Sequence, residues 1–77
     1  MSRLPTIDYR LMDRALARLD FQPVRQRRSH VFYRHADGRT TTVPHHRGRD
    51  LARPLVRSIL KDIEVTPDEF MQLLQTL

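Results

Sequence analysis

The stretch Arg25–Arg49, RQRRSHVFYRHADGRTTTVPHHRGR, decides the reading of the chain. It holds all four histidines, and two runs rich in aromatic and β-branched residues, SHVFYRHA and RTTTVP, flank Asp37-Gly38 within it. Asp-Gly between two such runs is a strong hairpin signal, because both central residues of a type I′ turn need positive φ. With Asp37 and Gly38 as a two-residue loop, Phe32 lies opposite Val43, Val31 opposite Pro44 and His30 opposite His45, with Ser29 facing His46. One face then carries His30, Phe32, Arg34, Thr41, Val43 and His45, and the other Ser29, Val31, Tyr33, His35, Thr40, Thr42, Pro44 and His46. The open end of the hairpin gathers His30, His45 and His46 with Arg27, Arg28 and Arg47. A three-residue loop would shift the register by one and change the partners while leaving that cluster in place.

Outward from the hairpin the chain is short. Its 77 residues make a single domain, 1–77, that buries roughly 60–65% of the surface exposed by its unfolded chain. That leaves no room for a large substrate cavity. Cysteine is absent, which excludes disulfides, thiolate metal sites and cysteine nucleophiles. No apolar segment approaches the roughly 20 residues needed to span a bilayer, and MSRLPTIDYR lacks the apolar run of a signal peptide, so a cytoplasmic protein with no membrane partner is expected.

Charge says more than length. Fourteen basic residues against nine acidic ones give a net charge of +5, and all but one of the basic residues are arginine. Arginine's planar fork suits phosphate and stacks on bases, whereas lysine would serve solubility alone. The final segment after Lys61 is acidic and the rest basic, so most of the chain reads as a polyanion binder and its end does not.

Upstream, Thr6 is an N-cap candidate for a helix over Ile7 to Leu19, with Asp8 in its first turn. Ile7, Leu11, Met12, Ala15, Leu16 and Leu19 share one half of the wheel, and Arg10, Arg14 and Arg18 form a row along its edge, either a phosphate contact or a solvated face. Pro23 confines Gln22 to Arg27 to an edge strand. Downstream, HHRGRDLAR is a loop with Gly48 as its flexible point and Asp50 as a possible cap. A second helix, PLVRSILKDI, begins at Pro54, presents Leu55, Val56, Ile59, Leu60 and Ile63 to the core, and points Arg57 and Lys61 away from it. Thr66-Pro67-Asp68-Glu69 is a capping box that starts a short last helix with Phe70, Leu73, Leu74 and Leu77. The expected order is α-β-β-β-α-α, an α+β fold with a three-stranded antiparallel sheet packed against helices.

Metal binding is a poor use of the histidine cluster, since no cysteine or carboxylate completes a site and adjacent His45 and His46 point to opposite faces of a strand. Neither a metal nor any other cofactor is expected. Acid–base chemistry on RNA fits better. Cleavage through the ribose 2′-OH needs one group to take that proton, another to protonate the departing 5′-oxygen, and positive charge at the phosphate, and imidazole with arginine can supply all three. DNA lacks the 2′-OH.

Arg28-Ser29-His30, an aromatic strand, Asp37-Gly38-Arg39, a strand ending in Pro44-His45-His46, and Arg57-Ser58-Ile59-Leu60-Lys61 follow one another in an order that resembles the HicA toxins, from about Asp8 to Phe70. The resemblance implies a fold like that of double-stranded-RNA-binding domains, α-β-β-β-α, here with a short added C-terminal helix. It implies metal-independent cleavage of mRNA by a toxin, an endoribonuclease, and a HicB-like antitoxin that covers the active site. It also implies one essential histidine, which falls on His30, and matches the family's proline-any-histidine ending to Pro44 and His46, with His45 at the variable position. On that reading His30 and His46 are the catalytic candidates, and Arg27, Arg28, Ser29, Arg47, Arg57 and Lys61 bind RNA. His35, near the turn, is a surface residue. Two departures stand out: the family usually has glycine where this chain has Arg28 and where it has Glu64. Arg28 either substitutes a phosphate contact for the glycine's close approach or narrows access. The rival expectations are a non-catalytic RNA-binding module of the same fold and a basic protein that docks an acidic partner.

Overall fold

Val31 and Tyr33 on one strand and Thr41 and Val43 on the next all turn inward, and the helices cover that side alone. The computed structural model describes residues 4–77. Its elements are β1 (Ile7–Asp8), α1 (Tyr9–Arg18), β2 (Phe21–Arg27), β3 (His30–His35), β4 (Thr40–Pro44), β5 (Asp50–Leu51), α2 (Arg53–Ile63) and α3 (Pro67–Leu74). β2, β3 and β4 form an antiparallel sheet in that order, and β1 pairs with β5 in a separate two-stranded ribbon. This is the expected α+β architecture with its short C-terminal helix, plus the ribbon. The core joins Met12, Ala15 and Leu16 of α1, Val56, Ile59, Leu60 and Ile63 of α2, and Phe70 of α3 to the inner face of the sheet.

The hairpin turns where Asp37-Gly38 places it, but with a longer loop. His35 donates its amide to the Arg39 carbonyl at 2.9 Å, and Gly38 donates back to His35 at 2.9 Å. Gly38, at φ +101°, supplies the positive φ that closes a three-residue loop. The register therefore moves by one from the two-residue expectation: His30 faces Pro44, Val31 faces Val43, Phe32 faces Thr42, Tyr33 faces Thr41 and Arg34 faces Thr40. Thr41 and Val43 consequently share the inner face with Val31 and Tyr33, and not the face of His30. This register brings Val31, Tyr33, Thr41 and Val43 together on the buried face, whereas a shift by one would set Val31 and Tyr33 beside Thr40, Thr42 and Pro44.

On β2 the alternation is broken once. Pro23 pairs with Tyr33 and Arg25 with Phe32, so Val24 is an extra residue, 59% exposed, in a β-bulge. Before the bulge Phe21 points into the core; after it Arg25 and Arg27 lie on the opposite face, beside Phe32 and His30.

The helix starts need correction. Asp8, not Thr6, is the N-cap of α1, accepting the Leu11 amide at 2.9 Å, so the helix begins at Tyr9. Ile7 is buried through its pairing with Leu51 instead of through a helical turn. Asp50 caps nothing, because β5 claims it; α2 starts after Ala52, which makes no side-chain cap bond, with Pro54 in its first turn. At the other end of α2, Glu64 is left-handed (φ 60°, ψ 44°), its amide reaching Lys61 and that of Val65 reaching Leu60, a Schellman ending. The Thr66–Glu69 capping box forms in full.

Candidate functional site

β2 and β3 are joined by the two residues Arg28 and Ser29, and only the first of them has positive φ, 57°. Such a tight link needs a left-handed residue at that point, which is where a type II′ turn takes glycine. The glycine that the resemblance leads one to expect at this position would meet that backbone need; here arginine meets it. The Arg28 carbonyl accepts from the Gln26 side chain at 2.9 Å, and the Ser29 carbonyl accepts the His45 amide at 2.6 Å.

This turn delivers His30 to the first position of β3, exposed, between Arg27 on one neighbouring strand and Pro44 on the other. Directly paired residues share a face, so His30 stands on the solvent side of the sheet with Arg27, Arg25 and Phe32. The Arg25 guanidinium lies 4.7 Å from the Phe32 ring centroid. The result is a flat basic surface with an imidazole at one end.

Pro44 ends β4, and the chain then leaves the sheet. His46 to Arg49 make a turn closed by the Arg49 amide on the His46 carbonyl at 3.2 Å, with Gly48 at φ +73°. This loop and the start of α1 enclose a cleft of about 570 Å³ that Tyr9, Arg10, His45, His46, Arg47 and Arg49 line together with Asp8 and Asp50. The β1–β5 ribbon holds the two walls together. His30 is not part of the cleft lining; it lies on the sheet at the end where the cleft's loop departs. Thus His45, His46 and Arg47 come together, with Arg27, Arg28, Ser29 and His30 on the adjoining turn and strand ends.

Arg57 and Lys61 belong elsewhere. They are exposed on α2 and line a different groove with Pro54, Leu60, Val65 and Pro67. His35 is more than a surface residue: it is partly buried, packs edge-on against Phe21 at 5.1 Å and accepts the Asp37 amide on Nδ1 at 3.0 Å. In the same loop Arg39 bonds Asp37 at 2.9 Å, lies over the Phe21 ring and donates to the Ile63 carbonyl at the end of α2. The guanidinium holds the Asp37 carboxyl below its ordinary range. These contacts brace the turn.

The sequence pattern gave no notice of Tyr9. Its ring is stacked on the His45 imidazole, centroids 3.9 Å apart and planes 12° apart. Its hydroxyl meets the Tyr33 hydroxyl at 2.5 Å, and Tyr33 donates in turn to Asp13 at 2.6 Å. No periodic or local signal connects positions 9 and 45; only the folded ribbon does.

Among the described residues, no group of three His, Cys, Asp or Glu side chains is placed to hold a metal ion, and no helix is long and apolar enough to cross a membrane. No curated protein matches the chain. The family model described as the HicA toxin of bacterial toxin-antitoxin matches residues 9–65, from the first residue of α1 to the Schellman ending of α2, and takes in the turn before His30 and the Pro44–His46 segment. Fold, order of motifs and this match agree: the chain belongs to the HicA toxin family.

Proposed function

We propose that this toxin is a metal-independent endoribonuclease that cleaves mRNA through the ribose 2′-OH. The observation that carries the reading is the placement of His30, exposed at the tip of β3 on a basic sheet face, next to Arg27 and to the turn of Arg28 and Ser29. In the reaction His30 takes the 2′-OH proton, and the O2′ so formed attacks phosphorus to give a 2′,3′-cyclic phosphate. His46 protonates the leaving 5′-oxygen. Arg27, Arg28 and Arg47 neutralise the phosphate oxygens as charge builds on them, and Ser29 offers a local hydrogen bond. Arg57 and Lys61 hold a more distant part of the RNA backbone. The cellular setting that fits is the cytoplasm, with a HicB-like antitoxin covering this face until it is removed.

Incubation of purified protein with RNA and excess EDTA tests the assignment. The wild type should cut and leave cyclic-phosphate ends, and His30→Ala should not; equal activity in the two proteins overturns the role of His30.

A second reading, RNA binding without cleavage, draws on one observation. The His30 imidazole makes no hydrogen bond among the described residues, whereas a general base is commonly oriented by a further group. The same experiment separates the two: retained but intact RNA favours binding alone.

A further inference from the structure

Tyr9 and His45 form a platform assembled before any ligand arrives. Tyr9 cannot swing away easily, because its hydroxyl is the donor to Tyr33, whose own proton is committed to Asp13. His45 is fixed from its backbone by the 2.6 Å bond to Ser29. Tyr9 covers one flat face of the imidazole, and His45 nevertheless remains exposed to solvent.

The surroundings match one kind of ligand. The stacked pair stands between two recesses, the cleft of about 570 Å³ and a neighbour of about 450 Å³, which share Tyr9, Arg10 and His45. The first continues to Arg47 and Arg49, and the second to Arg14 and to Asp13, whose Oδ1 is taken by the Tyr33 hydroxyl. Guanidinium groups therefore flank the aromatic ridge on both sides. Asp8 and Asp50 also line the larger recess, Asp8 occupied by the Leu11 amide and Asp50 by the Thr6 hydroxyl. Their charge repels phosphate from that wall, which leaves the flat ring for an uncharged group.

We propose that the Tyr9–His45 stack is a nucleobase subsite: an unpaired base of a single-stranded RNA lies on the face of His45 away from Tyr9, and the phosphates on either side of it are taken by Arg10 and Arg14 and by Arg47 and Arg49. The proposal rests on the RNA reading of the chain and adds the residue that grips a base near the cleaved bond. Stacking on an aromatic ring tolerates any base, because every base has a π-face, and excludes a duplex, whose base faces are already covered. The role of His45 is positioning, and its ring matters by being flat.

The test uses a short 2′-O-methyl RNA, which cannot be cleaved through the 2′-oxygen, carrying one 2-aminopurine. Wild-type protein should bind the single strand and quench the fluorescent base, and should not quench it in a duplex. His45→Ala should bind about tenfold more weakly and lose the quenching. His45→Phe, which keeps a flat ring and discards the imidazole nitrogens, should retain both, with circular dichroism reporting that each variant is folded. Unchanged binding by His45→Ala, or failure of His45→Phe to the same degree as His45→Ala, overturns the subsite while leaving RNA binding intact. If wild-type protein binds no strand at all, the RNA reading falls and the subsite with it.

Discussion

The buried hydroxyl of Tyr33 donates to Asp13 Oδ1 at 2.6 Å, joining the centre of the sheet to the first helix. Burial first, and then the bond to Asp13, push the phenol well above its ordinary value of 10.0, so the folded protein keeps this proton to higher pH than the unfolded chain does. The unfolded chain ionises normally. Above about pH 10 the unfolded state alone gives up this proton, so stability present below that value declines as pH rises, by about 1.4 kcal/mol per pH unit from this group. Urea midpoints should be unaffected by this group from pH 8 to about 10 and fall between about pH 10 and 11, and in Tyr33→Phe that fall should disappear.

Arg28 holds φ at 57° in a two-residue connection, a conformation that costs an L-residue roughly 1–2 kcal/mol. Arg28→Gly removes that strain at some cost in unfolded-state entropy, and should stabilise the protein by about 0.5–1 kcal/mol. The urea midpoint should rise with an unchanged slope. RNA affinity measured on the same variant then reports the guanidinium separately from the turn: weaker binding in a more stable protein identifies a phosphate contact.

Thr66 caps α3 by accepting the Glu69 amide at 3.1 Å, and Glu69 accepts the Thr66 amide at 2.8 Å in return. Thr66→Ala should cost about 1 kcal/mol in a thermal melt. The backbone bond from Thr66 lowers the Glu69 pKa from its usual 4.5. Its stabilising effect is therefore complete above that value and is lost as pH falls through the lower folded one. Glu69→Gln should flatten this acid limb of the stability profile.

Arg27 pairs with His30 across the sheet and faces solvent. If it neutralises one phosphate, Arg27→Gln lowers affinity for single-stranded RNA and reduces the steepness of log K against log salt by about 0.7. A fall in affinity with an unaltered salt slope would assign Arg27 to something other than a phosphate.

Asp37-Gly38, the capping box and the apolar face of α2 were legible because each is a local signal: a turn residue, a cap, a period. The register was not, since one extra loop residue exchanges every cross-strand partner, and Gly38 can serve either loop. The ribbon of Ile7–Asp8 with Asp50–Leu51 was hidden because two residues show no period, and its cost was a misplaced helix start and a misassigned Asp50. For the site, His30 and the residues around it could be placed near one hairpin end from the chain order. The Tyr9–His45 stack could not, because it exists only once the ribbon has closed.

The bulge at Val24 carries a last consequence. Phe21, Arg25 and Arg27 are separated by even numbers of residues, and an unbroken strand would have sent all three the same way. Val24 acts as a spacer that resets the parity of β2, so one strand can supply a core anchor and a polyanion-facing pair of cations. Its side chain, turned to water, is free to vary; its presence in the count is not. Substitution at position 24 should pass unnoticed, while removal of that single codon would force either the phenyl ring out of the core or the two guanidinium groups into it.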